Sequence, residues 1–391
     1  MIELLAPCHD WATLKAALDS GANAVYFGID SLNMRLNAKS FKITDLTKIS
    51  NLCHEKKVRA YLALNSIIYE RELKKAENII KKAKIASIDA IIIQDLGLIP
   101  LLKKHKMSFH ISTQASVSNS KAANIYKKLG ASRVILAREV SLKDLTRLAK
   151  NSKIDTEVFI HGAMCASISG RCFMSGAIYQ KSANRGECMQ PCRQEWQVKN
   201  KYGNLIYDNE RFMNAKDLCT IGFLNKIVKS GVKSLKIEGR MKDANYVSTV
   251  VKVYREAINN YDKNKVKDWL KRLSIVYNRG FSTGFYLGKP STKDIEYEKE
   301  GSVSKIKKIA LGVVKNYYPK IQVAEILLNH SALKLGDELI IQGKTTYIKQ
   351  IVKSMQINKK DVLKANKGQR VAVKIGQTCR KNDQVFKLNN I

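Results

Sequence analysis

The sequence predicts an α/β protein: a (β/α)8 TIM-like barrel with a cysteine-bearing insertion after strand 7, followed by a small C-terminal all-β barrel. Three observations predict it. Over the first 240 residues, eight short apolar, β-branched runs alternate with helical segments, as expected of parallel strands buried on both faces. Polar residues gather at the carboxyl ends of those runs, where a barrel places its chemistry. From about Ile309 the pattern changes to short alternating strands with turn signals. An open doubly wound sheet is the alternative way to assemble the same βα units.

Taken in order, the strand runs are Ile2 to Leu5, Ala24 to Phe27, Val58 to Leu64, Ala90 to Ile93, Ser108 to Ile111, Arg133 to Leu136, Glu157 to Ile160 and Ser234 to Ile237. Helical segments fall around Trp11 to Asp19, Leu46 to Lys56, Leu73 to Ala86, Ser120 to Leu129 and Leu218 to Ser230. Ser141 and Asp217 read as helix caps or loop bridges. After the eighth strand, Tyr246 to Asn259 and Val266 to Leu273 read as amphipathic helices. The domains expected are a barrel over 1–290 with its insertion at 161–217, a charged linker over 291–308, and a β-barrel over 309–391.

The seventh connection is roughly 70 residues long, where a few would suffice. It holds a hairpin pattern, Glu195 to Val198 and Leu205 to Tyr207 around Lys201-Tyr202-Gly203-Asn204. It also holds Cys165, Cys172, Cys188 and Cys192, spaced C-x6-C-x15-C-x3-C. Glycines break this stretch into loops that bury little apolar surface, so four thiolates converging on a metal would give it a reason to be ordered. Free buried thiols and a structural zinc knuckle are the plainer readings. The spacing matches neither a ferredoxin run nor a two-residue zinc ribbon, and does not choose between zinc and iron–sulfur.

Lysine and arginine outnumber aspartate and glutamate 69 to 34, a net charge of +35. A phosphate-rich partner fits that balance; a uniform lysine bias spread over solvated faces would produce it too. No apolar run approaches the roughly 18 to 20 residues of a membrane span, and MIELLAPCHD lacks a signal-peptide pattern. A cytoplasmic location is expected, in which cysteines serve as ligands or thiols rather than disulfides. The HExxH, Gly-x-Ser-x-Gly, Walker and GxGxxG patterns are absent.

Three stretches carry a resemblance: Glu157 to Cys165, Ser169 to Ser175, and Asn184 to Arg193. They are similar to the signature of the peptidase U32 family. Glu3 to Pro7, Ala24 to Gly28, Asn33 to Ala38 and Asn278 to Tyr286 resemble further motifs of that family, so the likeness covers about the first 290 residues. Cys8 departs from it, standing where a small residue such as alanine is expected. Leu335-Gly336-Asp337 and Gly368-Gln369-Arg370-Val371 resemble turns in the second domain of translation elongation factors.

The resemblance implies an oxygen-independent hydroxylase acting on tRNA uridine, with ribosomal RNA cytidine or the ubiquinone ring as other family substrates. It implies a [4Fe–4S] cluster on the four cysteines, with zinc as the alternative, and prephenate as the oxygen donor. Such a reaction also calls for an electron donor and leaves room for a partner chain. A collagenase-like peptidase and a non-catalytic RNA-binding scaffold are the competing classes. Candidate catalytic residues are the strand-end groups Arg138, His161, Glu238 and Arg240. His161 is read as an acid–base or substrate contact, against a structural hydrogen-bonding role. Arg35, Gln114, Arg171 and Arg279 are candidate substrate contacts, the arginines because a guanidinium grips a carboxylate by paired hydrogen bonds.

Overall fold

Eight parallel strands close on themselves in the computed structural model, which describes residues 2–35 and 41–390. Leu36, Asn37 and Ala38 of the N-terminal motif therefore lie outside the described residues. Strands β1 (Glu3–Pro7), β2 (Ala24–Phe27), β3 (Arg59–Leu64), β4 (Ala90–Ile93), β5 (Phe109–Ile111), β6 (Arg133–Ile135) and β7 (Asp155–Gly162) pair in chain order. The insertion adds a hairpin, β8 (Trp196–Lys199) and β9 (Leu205–Glu210), and then a short strand, β10 (Asp217–Cys219). Strand β11 (Ser234–Ile237) lies parallel to both β7 and β1. That last ladder excludes the open doubly wound sheet.

Helices α1 (Trp11–Asp19), α2 (Leu46–Glu55), α3 (Leu73–Ile85), α4 (Leu98–Lys104), α5 (Ser120–Lys128) and α6 (Leu142–Asn151) follow the first strands, and α7 (Met174–Tyr179) sits in the insertion. Helices α8 (Leu224–Lys229), α9 (Ala244–Asn259) and α10 (Val266–Ser274) complete the set. Their starts are fixed locally: Asp10, Ser141 and Asp243 accept backbone N–H bonds at the first turns of α1, α6 and α9. No helix among the described residues is long and apolar enough to cross a membrane.

Two expectations fail in the insertion. Leu218 does not begin a helix: Asp217–Cys219 is strand β10, antiparallel to the end of β7, and α8 begins at Leu224. Asp217 is not a cap but a buried strand residue, 1% exposed. Strand β12 (Phe281–Ser282), from the second glycine-rich motif, pairs with β10 and extends this edge.

Beyond the linker, β13 (Ile306–Tyr318), β14 (Val323–Leu327), β15 (Leu333–Lys334), β16 (Glu338–Gln342), β17 (Tyr347–Ile351), β18 (Met355–Ile357), β19 (Lys360–Asp361), β20 (Lys364–Ala365), β21 (Arg370–Lys374) and β22 (Gln384–Asn390) form an all-antiparallel region. Leu311, Ile326, Leu339, Val371 and Val385 belong to its own core. The region is also fastened to the barrel. Ile340 and Tyr347 join the barrel's core cluster, and the Tyr347 hydroxyl reaches Asn245 at the start of α9.

The barrel interior carries a buried polar layer among its apolar side chains. There Glu3 of β1, Arg133 of β6, Glu157 of β7 and Lys236 of β11 point inward together. Arg133 pairs with Glu3 and with Glu157 (3.1 Å), and Lys236 donates to Glu157 (3.0 Å). Tyr61 and Ser234 complete the shell around Glu3, at 2.7 and 2.9 Å. Burial alone would push the Glu157 carboxyl up, but Lys236 and Arg133 outweigh it and hold it down at about 2. Removing one member of a buried ion pair leaves an uncompensated charge, which costs about 3–5 kcal/mol. Glu157→Gln is expected to lower the unfolding free energy of the full chain by that amount in denaturant titrations; a loss under about 1 kcal/mol would show that the seam is not held by charge. The pH sense follows from a carboxyl depressed on folding. Its contribution is complete above the unfolded value of about 4.3 and is lost as pH falls toward 2.

Candidate active site

The carboxyl ends of the barrel strands and the cysteine insertion enclose one cavity of about 160 Å³. At its base stands Glu238, directly after β11. Nη2 of Arg35 and Nη2 of Arg138 lie 3.5 and 3.6 Å from its carboxylate. Arg240, two residues on, donates to Asn33 (3.3 Å) and lies over the Tyr26 ring. Asn33 is itself fully buried and held by the carbonyls of Ile29 and Ser31, so the N-terminal motif supplies the rest for Arg240. Burial would push the Glu238 carboxyl up; Arg35, Arg138 and Arg240 outweigh it and hold it at about 2. Glu238 is therefore a fixed negative charge at neutral pH, not a proton carrier. Arg138 is fixed twice more, donating to the Ala163 carbonyl (2.6 Å) and lying 3.9 Å over the Phe159 ring.

The close approach that places Glu238 depends on Gly162. Its φ is +106°, and a Cβ there would fall 2.4 Å from the Glu238 carbonyl oxygen. The same stretch decides the fate of His161. The β7–β11 register pairs Lys236 with Phe159 but Ile237 with His161. One extra residue, Ile160, is thus accommodated as a bulge, which reverses the in–out alternation beyond it. His161 consequently shares the outward face of Ile237. It packs among the rings of Tyr246, Tyr254 and Phe281 and meets the Tyr254 hydroxyl at 3.3 Å. Burial lowers its pKa to about 3, and it does not line the cavity. The structural role is the one the fold gives it.

Gln114 does line the cavity, its amide oxygen accepting from Asn65 (3.2 Å) and from Ser112. Arg171 is exposed and reaches only the Gln114 carbonyl (3.5 Å), outside the lining. Arg279 lines the cavity beside a buried acid, Asp217, at 3.5 Å. Tyr26, Arg193, Lys236 and Lys242 are among the lining residues that sequence reasoning missed. Lys236 had a visible signal, a lysine inside the otherwise apolar run Ser234–Ile237; Lys242 had none.

Cys165, Cys172, Cys188 and Cys192 all line this cavity. Burial pushes the Cys188 and Cys192 thiols up, and each also feels neighbouring thiols: Cys165 and Cys172 act on Cys188, and Cys165 and Cys188 on Cys192. The backbone N–H groups of Gln190 and Ala166 oppose that rise at Cys188 and Cys192. Among the described residues, no three or more His, Cys, Asp or Glu side chains are arranged to hold a metal ion. The loops bearing the thiols are tied down individually. Arg193 donates to the carbonyls of Met164 and Ala215 and to the Asn214 side chain, and Asn184 receives the Cys172 N–H.

Residues 9–296 match the sequence profile of peptidase family U32. The chain belongs to that family. It is 42% identical to an uncharacterized protease of Methanocaldococcus jannaschii, over 99% of this chain and 98% of that one. It is 36% identical to a collagenase of Porphyromonas gingivalis, again over 99% and 98%. It is 34% identical to tRNA hydroxylation protein P1 of Bacillus subtilis, over 87% and 83%.

The stretches that resemble U32 motifs thus meet around one cavity: Tyr26 and Arg35 from the N-terminal side, the four cysteines from the insertion, and Arg279 from the second glycine-rich motif. Cys8, the departure from the family pattern, is core packing, its thiol 3.7 Å from the Tyr26 carbonyl. The eight cysteines divide into two classes. Cys8, Cys53, Cys219 and Cys379 are buried, whereas Cys165 is exposed and the other three motif cysteines are half-buried. Brief alkylation of reduced, chelator-treated protein is expected to label the four motif cysteines, Cys165 fastest, and to spare the buried four by peptide mass spectrometry. Labelling of all eight at one rate would refute the cavity's arrangement.

Proposed function

We propose that this U32 chain is an oxygen-independent RNA hydroxylase, acting on a uridine of tRNA, with an iron–sulfur cluster and a small carboxylate such as prephenate as oxygen donor. One observation carries the reading: four cysteine thiols and an arginine-bound carboxylate face the same cavity at the mouth of a barrel. The donor set is that of a four-thiolate centre, four cysteines on one cavity, although among the described residues their side chains are not drawn together as a bound ion would draw them. Cys165 and Cys172 act electrostatically on Cys188, and Cys165 and Cys188 on Cys192, while the backbone N–H groups of Gln190 and Ala166 favour the two thiolates, as donors to cluster sulfurs would. Cys165, Cys172, Cys188 and Cys192 would hold the cluster, which would supply one-electron chemistry. The relative in Bacillus subtilis, named as a tRNA hydroxylation protein, supports this reaction class.

The chain's own residues have defined tasks in this reading. Arg35, Arg138 and Arg240 place three guanidinium groups around one carboxylate, Glu238, leaving excess positive charge to hold an anionic donor. Tyr26, whose hydroxyl burial pushes well up, stays protonated beside Glu238 at 3.4 Å. Asn65 and Gln114 offer neutral amides to a base edge. Phe173, 81% exposed and next to Cys172, offers a face on which an unstacked base can lie. In the C-terminal region Lys353, Lys359, Lys360, Lys364 and Lys367 are exposed cations able to follow an RNA backbone.

A collagenase-like peptidase is the second reading, supported by the Porphyromonas gingivalis relative. It needs a nucleophile or water activated by a base within the cavity. Among the described residues no histidine lines that cavity, and Glu238 stays ionised between three arginines.

Nucleoside mass spectrometry of tRNA and ribosomal RNA from a deletion strain is expected to show loss of a 5-hydroxypyrimidine, 5-hydroxyuridine in tRNA. An unchanged nucleoside pattern in both RNA pools would reject the hydroxylase. Anaerobically purified protein is expected to carry about four irons per chain; stoichiometric zinc without iron would remove the redox reaction. In the complemented strain, Arg138→Lys or Arg240→Lys is expected to abolish the modification while iron content and RNA affinity stay within about twofold, because a lysine cannot reproduce the guanidinium fork. Full modification by both variants would reduce these arginines to rim ion pairs.

The C-terminal region shares apolar packing with the barrel, so charge substitution tests it better than deletion. Lys359→Gln, Lys360→Gln and Lys364→Gln together are expected to flatten the slope of log affinity against log salt by up to about 2 for single-stranded RNA. An unchanged slope would place the RNA elsewhere.

A further inference from the structure

Most cations in the barrel mouth are engaged. Arg138 is bonded to Glu238 and the Ala163 carbonyl, Arg240 to Asn33, Arg193 to three groups of the insertion, and Lys236 to Glu157. Lys242 is different. It lines the cavity, yet among the described residues its side chain makes no hydrogen bond or ion pair, and its ammonium rests 3.0 Å from the centre of the Tyr277 ring. Arg279, beside it on the same lining, has one ion pair, the 3.5 Å contact to Asp217, and its Nε is buried without a hydrogen-bond partner. Asp217 itself accepts no hydrogen bond at either side-chain oxygen and lies behind the lining. A half-buried ammonium and a buried guanidinium with unfilled donors are costly when left so, and a cavity is where a ligand can satisfy both.

We propose that Lys242 and Arg279 form an oxyanion subsite, for a carboxylate or a phosphate, distinct from the arginine cluster around Glu238. The subsite deepens the reading above and rests on the cavity as the place where anionic reactants meet. Arg279 supplies a planar pair of donors and Lys242 a point charge, and Asp217 behind them offsets part of the charge when no ligand is bound. Two anionic groups could then be held at once, one at each cationic wall. The oxyanion is either the carboxylate of a small reactant or the 5′-phosphate of the target nucleotide.

The charged neighbours set the pH behaviour. Lys242 is faced by Asp217 of β10, Arg279 before β12, Arg193 of the insertion and Glu238 after β11. Burial is the largest influence and brings its pKa down to about 7, with Arg279 and Arg193 lowering it further and Asp217 and Glu238 opposing. A bound oxyanion favours the ammonium and raises that value. Binding at pH 8 therefore takes up close to one proton, and affinity falls as pH rises above 7.

The test is calorimetric titration of anaerobically purified full-length protein at pH 8, in two buffers of different ionisation enthalpy. The probes are uridine 5′-monophosphate, uridine and succinate. Lys242→Met is expected to weaken uridine 5′-monophosphate or succinate by about tenfold or more and to abolish proton uptake, with uridine unaffected. Loss confined to the monophosphate assigns the nucleotide phosphate, and loss confined to succinate assigns the small reactant. Lys242→Arg keeps the charge and the fold, and is expected to keep binding without proton uptake. Equal binding of both anions by wild type and Lys242→Met, or no binding of either by wild type, overturns the subsite. These probes do not depend on hydroxylation, so an unchanged RNA in the deletion strain would remove the reaction and not the subsite.

Discussion

The barrel depends on a buried exchange of charge across the place where its two ends meet. Glu3 sits on the first barrel strand, Lys236 on the last, Glu157 on β7 beside it and Arg133 on β6 one strand further. Hydrophobic contact would close a barrel in several registers, because apolar side chains pack without direction. Two carboxylates held between a guanidinium and an ammonium fit one register alone, since a slip of one residue turns every one of these side chains outward. Such a network contributes little net stability against an apolar replacement. What it fixes is alignment, and alignment determines what stands at the mouth: Lys236 lies two residues before Glu238 on the same inward face. The seam and the site are consecutive layers of one ionic column.

The insertion solves a different problem. Its segments contain one short helix, α7, and little apolar surface, with Ile168 and Phe173 71% and 81% exposed. Order comes instead from single anchors placed next to the cysteines. Arg193 follows Cys192 and holds the backbone beside Cys165; Asn184 holds the Cys172 N–H; Arg185 reaches out of the insertion to Glu72 through both carboxylate oxygens. These anchors locate the cysteine-bearing loops relative to one another and to the barrel. A cluster or metal bound by these thiols would add cross-links where hydrophobic packing is thin, so loading and folding of this segment are expected to be coupled.

The barrel strands were legible because each is a short, continuous apolar run, and all eight fall where the runs fall. The antiparallel C-terminal region was legible by its alternation. Strand β10 was not. Asp217-Leu218-Cys219 has three residues, one of them charged, and precedes a true helical segment, so local pattern merged it into the helix; its partners β7 and β12 are distant in sequence. His161 shows the sharper limit. Its position at a strand end was readable, but its direction is set by a bulge at Ile160 that appears only when β7 is laid against β11. Arg35, Arg138, Glu238, Arg240, Gln114, Arg279 and the four cysteines do share one cavity. Arg171 and His161 do not. Lys242 went unnoticed because a lysine in a loop of so basic a chain carries no signal until its lack of partners is seen.

The ionic column also divides labour between fixed and variable charge. Glu157 and Glu238 are held at about 2 by the cations around them, so both carboxylates keep their charge across the physiological range. Their strength as a positioning field does not vary with pH, which suits groups that orient a ligand rather than exchange protons with it. His161, which titrates near neutrality when free, has been buried to about 3 and removed from that role. Lys242 is left as the lining group whose charge changes close to pH 7, because it is half-buried, lacks a bonded acid, and shares its surroundings with two arginines. Under the proposed subsite, an anion near Glu238 would be held at a strength independent of pH, while the grip at the other wall would weaken as Lys242 loses its proton.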